Sequence, residues 1–212
     1  MKKDRLVRIL TLAVLALFVS AAAALVGCKG EPGIETPAAP AAGTPPIDIS
    51  GSWKSGAVED LGNGYFGTRD LNLTATDWEV VFTQYLDKEM TKPVYVYRAS
   101  GTYAIGAASA AVGGAYDIVF TVSNRYLTLK TDDAQVIKSA GLEFCNFLKK
   151  DTEVDISTLG CSSFMTVGGC PQEFDIVKLD GADLLLGKRL YSDTVCSEDR
   201  RPKETGAPLA KF

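Results

Sequence analysis

Short runs of alternating apolar and polar residues dominate the chain between residues 47 and 212. In one of them Trp78, Val80 and Phe82 share one side, whereas Glu79 and Thr83 lie on the other. This alternation is typical of a half-buried β-strand. Comparable runs, separated by turn-forming residues, cover 49–54, 65–73, 78–85, 93–105, 116–122, 125–130 and 174–191. Strands at such short intervals predict an all-β domain, an antiparallel meander that curls into an open or closed barrel.

The clearest hairpin signal lies between Cys170 and Cys196. Two apolar runs, 174–179 and 184–191, flank the dipeptide Asp180-Gly181. These two residue types accept the positive φ of a tight turn. We expect this hairpin to supply the last two strands of the barrel.

Three local features complete the predicted architecture. Ser123-Asn124 is predicted to turn the chain between two paired strands. Gly101 is predicted to mark a β-bulge inside a long strand. After Asp132-Asp133, apolar residues at helical spacing predict one short helix that ends near Gly141.

Aromatic residues are concentrated in the predicted strands. Because a barrel of about eight strands can leave room for one small ligand, six of them are candidates for lining an apolar cavity: Trp78, Phe82, Tyr95, Tyr97, Tyr103 and Phe120. Ordinary core packing is the alternative role for each of them taken singly. Trp53 is expected to make a cation–π pair with Arg98 or Arg189 that closes the base of the barrel.

A targeting segment precedes the predicted domain. Residues 1–27 begin with a basic stretch that is followed by an apolar run over 9–19, the order found in secretory signal peptides. The tetrapeptide Leu25-Val26-Gly27-Cys28 resembles a bacterial lipobox, which implies cleavage before Cys28 and acylation of its thiol. A membrane anchor with a chance cysteine is the alternative, but the apolar run is shorter than the ~20 residues of a spanning helix.

Acylation of Cys28 predicts a membrane partner, because acyl chains hold a protein at a bilayer surface. Lys29 follows the cysteine, and by the sorting rule of many double-membrane bacteria this residue favours the outer membrane. Residues 28–46 are rich in Pro, Ala, Gly and Thr, a composition that favours a disordered tether. The chain is therefore expected to comprise a signal peptide (1–27), a tether (28–46) and a single folded domain (47–212).

Composition narrows the possible functions. The chain has 22 basic and 26 acidic residues, a net charge of −4, and loss of the basic signal segment makes it more acidic. This argues against a nucleic-acid partner. The chain contains no histidine, so Ser-His-Asp and Cys-His catalytic arrangements are excluded and the commonest metal ligand is missing. We therefore expect neither a catalytic site nor a bound metal or cofactor.

Four cysteines lie in the predicted domain: Cys145, Cys161, Cys170 and Cys196. An even number in an exported domain predicts two disulfides, for which three pairings exist. The last two lie at comparable distances from the Asp180-Gly181 turn, which favours their pairing and leaves the first two for each other. A metal site built from all four is the alternative, but such sites use cysteines about two to four residues apart, and this chain has no such pair.

Three segments of the domain resemble one known family. They are 51–55 (GSWKS), 97–103 (YRASGTY) and 174–189, in which FDIVKLDG is followed by LGKR. Together they resemble the domain named after adenomatosis polyposis coli down-regulated protein one, over roughly residues 49–208. The animal members are membrane-anchored inhibitors of Wnt signalling with paired domains that bind lipid in apolar clefts. The resemblance therefore implies a calycin-like barrel with an acyl-chain site.

This chain departs from the animal members in ways that affect the expected partner. It has one such domain and a lipid anchor in place of a spanning helix. Ala57-Val58-Glu59 stands where the animal members have a cysteine and charged residues. We therefore do not expect a Wnt partner.

These sequence features fit three possible functions. The first is a non-enzymatic, surface-tethered lipoprotein whose barrel binds a lipid, another apolar ligand or an acylated partner. The second is a protein-interaction or envelope-structural module with a filled barrel. The third and least favoured is a histidine-free hydrolase, which requires convergent buried carboxylates with shifted pKa values. An interior cavity of several hundred Å³ distinguishes the first from the second.

Overall fold

The computed structural model describes residues 46–189 and 194–212. Its strands are β1 (Gly51–Ser55), β2 (Glu59–Gly62), β3 (Tyr65–Leu73), β4 (Asp77–Tyr85), β5 (Pro93–Ala108), β6 (Tyr116–Leu129), β7 (Glu153–Asp155), β8 (Gln172–Asp180), β9 (Asp183–Gly187) and β10 (Thr205–Lys211). Helix α1 covers Ala134–Ser139, and a 3₁₀ helix covers Glu198–Arg200.

Several sequence predictions concern other parts of the chain. The predicted signal peptide (1–27), nearly all of the tether (28–46) and the acylation site at Cys28 lie outside the described residues. So does the predicted end of the terminal hairpin at Tyr191. Within 46–189 and 194–212, no helix is long and apolar enough to cross a membrane.

Eight strands close into an antiparallel barrel. Their order is β1-β10-β9-β8-β6-β5-β4-β3, and pairing of β3 with β1 completes the circle. β2 pairs with the other half of β3, and β7 pairs with β6 beyond the end of β8. The all-β, calycin-like barrel with one short helix, predicted from strand spacing and from the family resemblance, is confirmed.

Strand alternation directs one face of each strand into the barrel. Leu71, Val80 and Ala99 are neighbours across β3, β4 and β5. Leu71 and Ala99 belong to the interior core, and the partly buried Val80 packs against it. At one end Trp53 is buried, and its indole N–H donates to the Ile49 carbonyl oxygen at 2.9 Å.

The cation over Trp53 differs from the prediction. Lys211, on the neighbouring strand β10, places its ammonium 5.2 Å from the Trp53 ring centroid. Arg98 instead lies over Tyr126, and Arg189 pairs with carboxylates. Both predicted partners of Trp53 are therefore wrong, because the strand that supplies the actual partner was not predicted.

A second core forms where residues 133–164 pack against β5 and β6. Asp133 caps α1 by accepting the backbone N–H groups of Gln135 and Val136, and Gly141 follows the helix with a positive φ. Leu127 and Leu129 of β6 are buried here, together with Leu142, Cys145, Ile156 and Cys161. The predicted helix and its end are confirmed.

Two disulfides fix the segments that flank this core. Cys145 bonds to Cys161, and Cys170 bonds to Cys196. Both predicted pairings are confirmed. The four-cysteine metal site is wrong, because all four thiols are used in disulfides.

The predicted turn at Ser123-Asn124 is wrong, since β6 is one continuous strand. Ser100 pairs with Asn124 and Gly101 with Val122, so Ser123 is an extra residue on β6. The β-bulge expected at Gly101 is therefore present, with the inserted residue on the partner strand. Polar residues in a strand sequence indicate a bulge as readily as a turn, because bulges and turns both interrupt the regular ladder of hydrogen bonds between strands.

Three strands were not predicted: β2, the three-residue β7 and β10. β2 lies in the turn-rich stretch before Tyr65, and β10 follows the terminal hairpin, so that hairpin does not supply the last strand. The β10 sequence, TGAPLAK, contains Gly and Pro, which are depleted in strands. Its one large apolar side chain, Leu209, is buried in the interior core. A strand with a single large apolar residue shows no alternation, so the sequence pattern did not predict β10.

Gln84 is a buried polar residue whose side chain lacks a hydrogen-bond partner in the described residues. It lies on β4 and is fully buried, and neither its Oε1 nor its Nε2 has a partner there. An unpaired buried amide costs about 1–3 kcal/mol. We therefore expect Gln84→Met to raise the free energy of unfolding in urea by about 1 kcal/mol. Gln172→Met, at an exposed position of β8, is the control. A loss of stability in Gln84→Met would contradict the prediction.

Candidate functional site

The barrel interior contains a cavity of about 230 Å³. Its wall is mainly apolar, and three charged residues, Arg69, Glu173 and Arg189, also border it. Aliphatic side chains contribute from β3, β4 and β9, through Leu71, Val80 and Leu186 respectively. The interior is therefore neither completely filled nor wide open.

Aromatic rings form the rest of the wall. Of the six predicted lining residues, five border the cavity: Trp78, Phe82, Tyr95, Tyr97 and Phe120. The sixth, Tyr103, does not, and its hydroxyl donates to the Thr74 carbonyl oxygen at 2.7 Å. Whether any of the five contacts a ligand stays a prediction.

Phe164 is a lining residue that the sequence analysis missed. It stacks on Tyr97 with ring centroids 5.2 Å apart, and it meets Tyr95 edge-on at the same distance. Strand alternation gave no signal for it, because it lies in the loop beside Cys161. The Cys145–Cys161 disulfide fixes that loop and thereby holds the Phe164 ring against the cavity.

A second cavity of about 210 Å³ adjoins the first. The two share Tyr95, Tyr97, Phe164, Glu173 and Arg189 as wall residues. Arg125 and the Cys170–Cys196 disulfide border only the second one. The shared residues therefore connect an apolar chamber to a polar one.

Four charged side chains form an ion-pair cluster between the two cavities: Arg125, Glu173, Arg189 and Asp175. One oxygen of Glu173 accepts from Arg125 at 3.1 Å and the other from Arg189 at 2.8 Å. Arg189 also donates to Asp175 at 2.6 Å. Positive and negative groups alternate along the cluster, so its net charge is zero.

Local sequence explains how the cluster is held. Glu173 and Asp175 alternate on β8, so both side chains point to the same side of the strand. The Asp175 carboxylate also accepts the backbone N–H groups of Ile176 and Gly187, at 2.7 and 2.9 Å. Gly187 is required here, because a Cβ at this position would lie 2.3 Å from Oδ1 of Asp175. The segments FDIVKLDG and LGKR, which carry the family resemblance, therefore meet in this cluster through Asp175, Gly187 and Arg189.

The charges of the cluster are stabilised mutually. Burial disfavours the charged form of Glu173, but Arg189 and Arg125 outweigh burial and hold the pKa of Glu173 below its usual range. Burial likewise disfavours the Arg189 cation, yet Asp175 and Glu173 raise the pKa of Arg189 above its ordinary value. Burial, reinforced by the charge of Glu173, raises the pKa of Tyr97, which keeps its phenol neutral. A pKa lowered in this way makes Glu173 an ionised acceptor at neutral pH, unsuited to act as a general acid.

Arg69 is the other arginine on the larger cavity, and it also has a carboxylate partner. Its guanidinium contacts Glu59 at 2.5 Å, and the Ser55 hydroxyl donates to the other oxygen of that carboxylate at 3.0 Å. Glu59 is buried. Both arginines of the larger cavity are thus neutralised by carboxylates of the protein.

No protein-family model matches the chain, and no curated protein sequence matches it significantly. Fold and interior alone define the class, which is a closed, eight-stranded, calycin-like β-barrel protein with a mainly apolar cavity.

Proposed function

We propose that this chain is a lipoprotein, tethered through an acylated Cys28, whose barrel binds a small apolar ligand such as a single short acyl chain. The observation that carries the binding role is the cavity of about 230 Å³ with its aromatic wall. An apolar cavity of roughly 150 Å³ is already large enough to stay dry and bind benzene. Drug-sized ligands occupy roughly 300–1,000 Å³, so the size of this cavity favours a short chain over a whole phospholipid.

Two further observations support this proposal. The basic and apolar segment that ends in Leu25-Val26-Gly27-Cys28 supports export and a lipid anchor. The resemblance to the lipid-binding family named above supports an acyl ligand, and membership of that family is part of the proposal. The carboxylates beside the cavity are held by arginines, which favours binding over acid–base catalysis.

A protein-interaction module is the second candidate, because large apolar side chains are exposed near the Cys145–Cys161 disulfide. Phe144 is 83% exposed and Leu159 is 66% exposed. Exposed apolar residues that cluster on a surface mark interaction sites. This candidate predicts that the cavity takes up no ligand.

Ligand uptake tests the binding role directly. The full chain carrying Cys28→Ser is used, so that its own acyl groups are not mistaken for a ligand, and 1-octanol is titrated by isothermal titration calorimetry. We expect saturable binding, weakened at least about tenfold, or 1.4 kcal/mol, by Val80→Trp, because the indole fills the cavity.

Val81→Trp is the matched control, because the neighbouring side chain on β4 points to the opposite face of the strand. Its affinity for 1-octanol should equal that of the parent protein. Absence of uptake by the parent, or equal uptake by Val80→Trp, would overturn the binding role. The anchor is tested separately by mass spectrometry of the membrane fraction, where an unmodified Cys28 in the mature protein would refute it.

A further inference from the structure

We infer that the cavity selects apolar ligands whose polar end is uncharged, namely an amide, an ester or an alcohol, and disfavours free carboxylates. This inference rests on the proposed function, because it concerns the polar end of the same ligand. It is carried by the charge balance of the ion-pair cluster and by one N–H of Arg125 that has no acceptor among the described residues.

The charge balance leaves no unpaired cation for a ligand carboxylate at the described wall of the larger cavity. Arg189 donates to Glu173 and Asp175, and Arg69 donates to Glu59. A ligand carboxylate would therefore add a third negative group beside Glu173 and Asp175, which are already paired with Arg125 and Arg189. Like charges in a buried site repel strongly because the local dielectric constant is low.

Arg125 supplies the hydrogen-bond donor. The residue is 3% exposed. Its Nη1 donates to the carbonyl oxygens of Met165 and Thr166 at 2.7 and 3.0 Å, and its Nη2 donates to Cys170 O and Glu173. Its Nε has no acceptor among the described residues. These four bonds fix the guanidinium of Arg125, which borders the second cavity, and its Nε–H stays without an acceptor in the part of the chain that the structure describes.

The surroundings of Arg125 suit a neutral oxygen. A buried N–H without an acceptor is unfavourable, and a carbonyl or hydroxyl oxygen of a ligand satisfies it without adding charge. Tyr97 borders both cavities, and its neutral phenol is a second donor for the same oxygen. The apolar part of the ligand then extends from this point into the chamber between Trp78 and Phe120.

A paired titration tests the inference. The full chain with Cys28→Ser is titrated with octanamide and with sodium octanoate at pH 7.5, where octanoate is ionised. The two ligands have the same apolar chain and differ in the charge of the polar end. We expect octanamide to bind at least about tenfold more tightly, which corresponds to about 1.4 kcal/mol. Equal affinities, or tighter binding of octanoate, would overturn the inference.

Glu173→Gln sharpens the test, because it keeps the side-chain shape and removes one negative charge from the cluster. We expect this variant to bind octanoate at least about tenfold more tightly than the parent does, with little change for octanamide. Glu153→Gln removes the carboxylate that pairs with Arg98 outside the two cavities and should change neither affinity. Unchanged octanoate binding in a folded Glu173→Gln variant would contradict the inference, and the parent comparison decides the matter if that variant does not fold.

The 1-octanol titration separates the two possible failures. If 1-octanol binds the parent protein but octanamide shows no advantage over octanoate, only the inferred preference for an uncharged end is wrong. If none of the three ligands binds, the proposed ligand-binding function fails, and the inference fails with it.

Discussion

Gly101→Ala is expected to lower the free energy of unfolding by about 3 kcal/mol or more. A Cβ at this position would lie 1.9 Å from the carbonyl oxygen of Thr121 on β6, which is far inside van der Waals contact. The backbone cannot move away easily, because Trp78 pairs with Gly101 and its indole N–H donates to the same carbonyl oxygen at 3.2 Å. The indole therefore crosses above the glycine.

Thermal denaturation followed by circular dichroism measures this effect. For a domain of this size, a loss of about 3 kcal/mol lowers Tm by roughly 6–12 °C. Gly113→Ala is the matched control, because a Cβ there has no atom within 4 Å and the residue lies in an exposed loop. Equal Tm values for the two variants would show that the bulge accommodates a side chain, contrary to the prediction.

Asp175→Ala is expected to destabilise the barrel by about 3 kcal/mol. The carboxylate is fully buried, and its loss removes an acceptor from the backbone N–H of Gly187 as well as one of the two carboxylates that neutralise Arg189. Breaking a buried ion pair on one side is unfavourable, because the remaining charge stays away from water. Urea denaturation of the parent and the variant gives the difference.

Two variants separate the role of Asp175 from a general effect of losing an acidic residue. Asp70→Ala removes an exposed aspartate from another strand of the same barrel, β3, and should leave stability nearly unchanged. Asp175→Asn retains an oxygen for Gly187 but loses the charge, and we expect it to fall between the parent and Asp175→Ala. A variant Asp175→Ala as stable as the parent would refute the importance of the ion-pair cluster.

Local patterns were sufficient to predict most of the barrel. β3, β4 and β5 are each at least nine residues long, which gave alternation enough positions to indicate the inward face. β10 has one large inward side chain and a proline, and only its position between β1 and β9 makes it a strand. The sequence carries too little local information for a strand whose formation depends on its neighbours.

The sequence pattern did not predict that β6 is one continuous strand, for a different physical reason. A bulge shifts the alternation by one residue, so Phe120 and Val122 face inward before it, and Arg125 and Leu127 face inward after it. Such a shift looks like the end of one strand and the beginning of another. The pairing register of β6 against β5 shows that the strand continues through the bulge. That register is a tertiary property, which the local sequence does not contain.

The aromatic wall and the ion-pair cluster differ in how predictable they were. The apolar rings could be chosen from strand alternation, whereas the cluster joins residues from β6, β8 and the segment after β9. One signal was present: Glu173 and Asp175 occupy the same phase of β8 as Val177 and Leu179, which pack in the interior core. Polar residues at inward positions therefore indicate the polar part of such a site.

The pairing of β1 with β10 has a consequence for folding order. Trp53 lies opposite Lys211 in this pair, so the contact that closes the ring joins segments far apart in the chain. Closing a long loop must precede the gain from such pairing, and topologies of this kind fold slowly. The barrel therefore cannot close until its final strand, β10, is available to pair with β1 and β9.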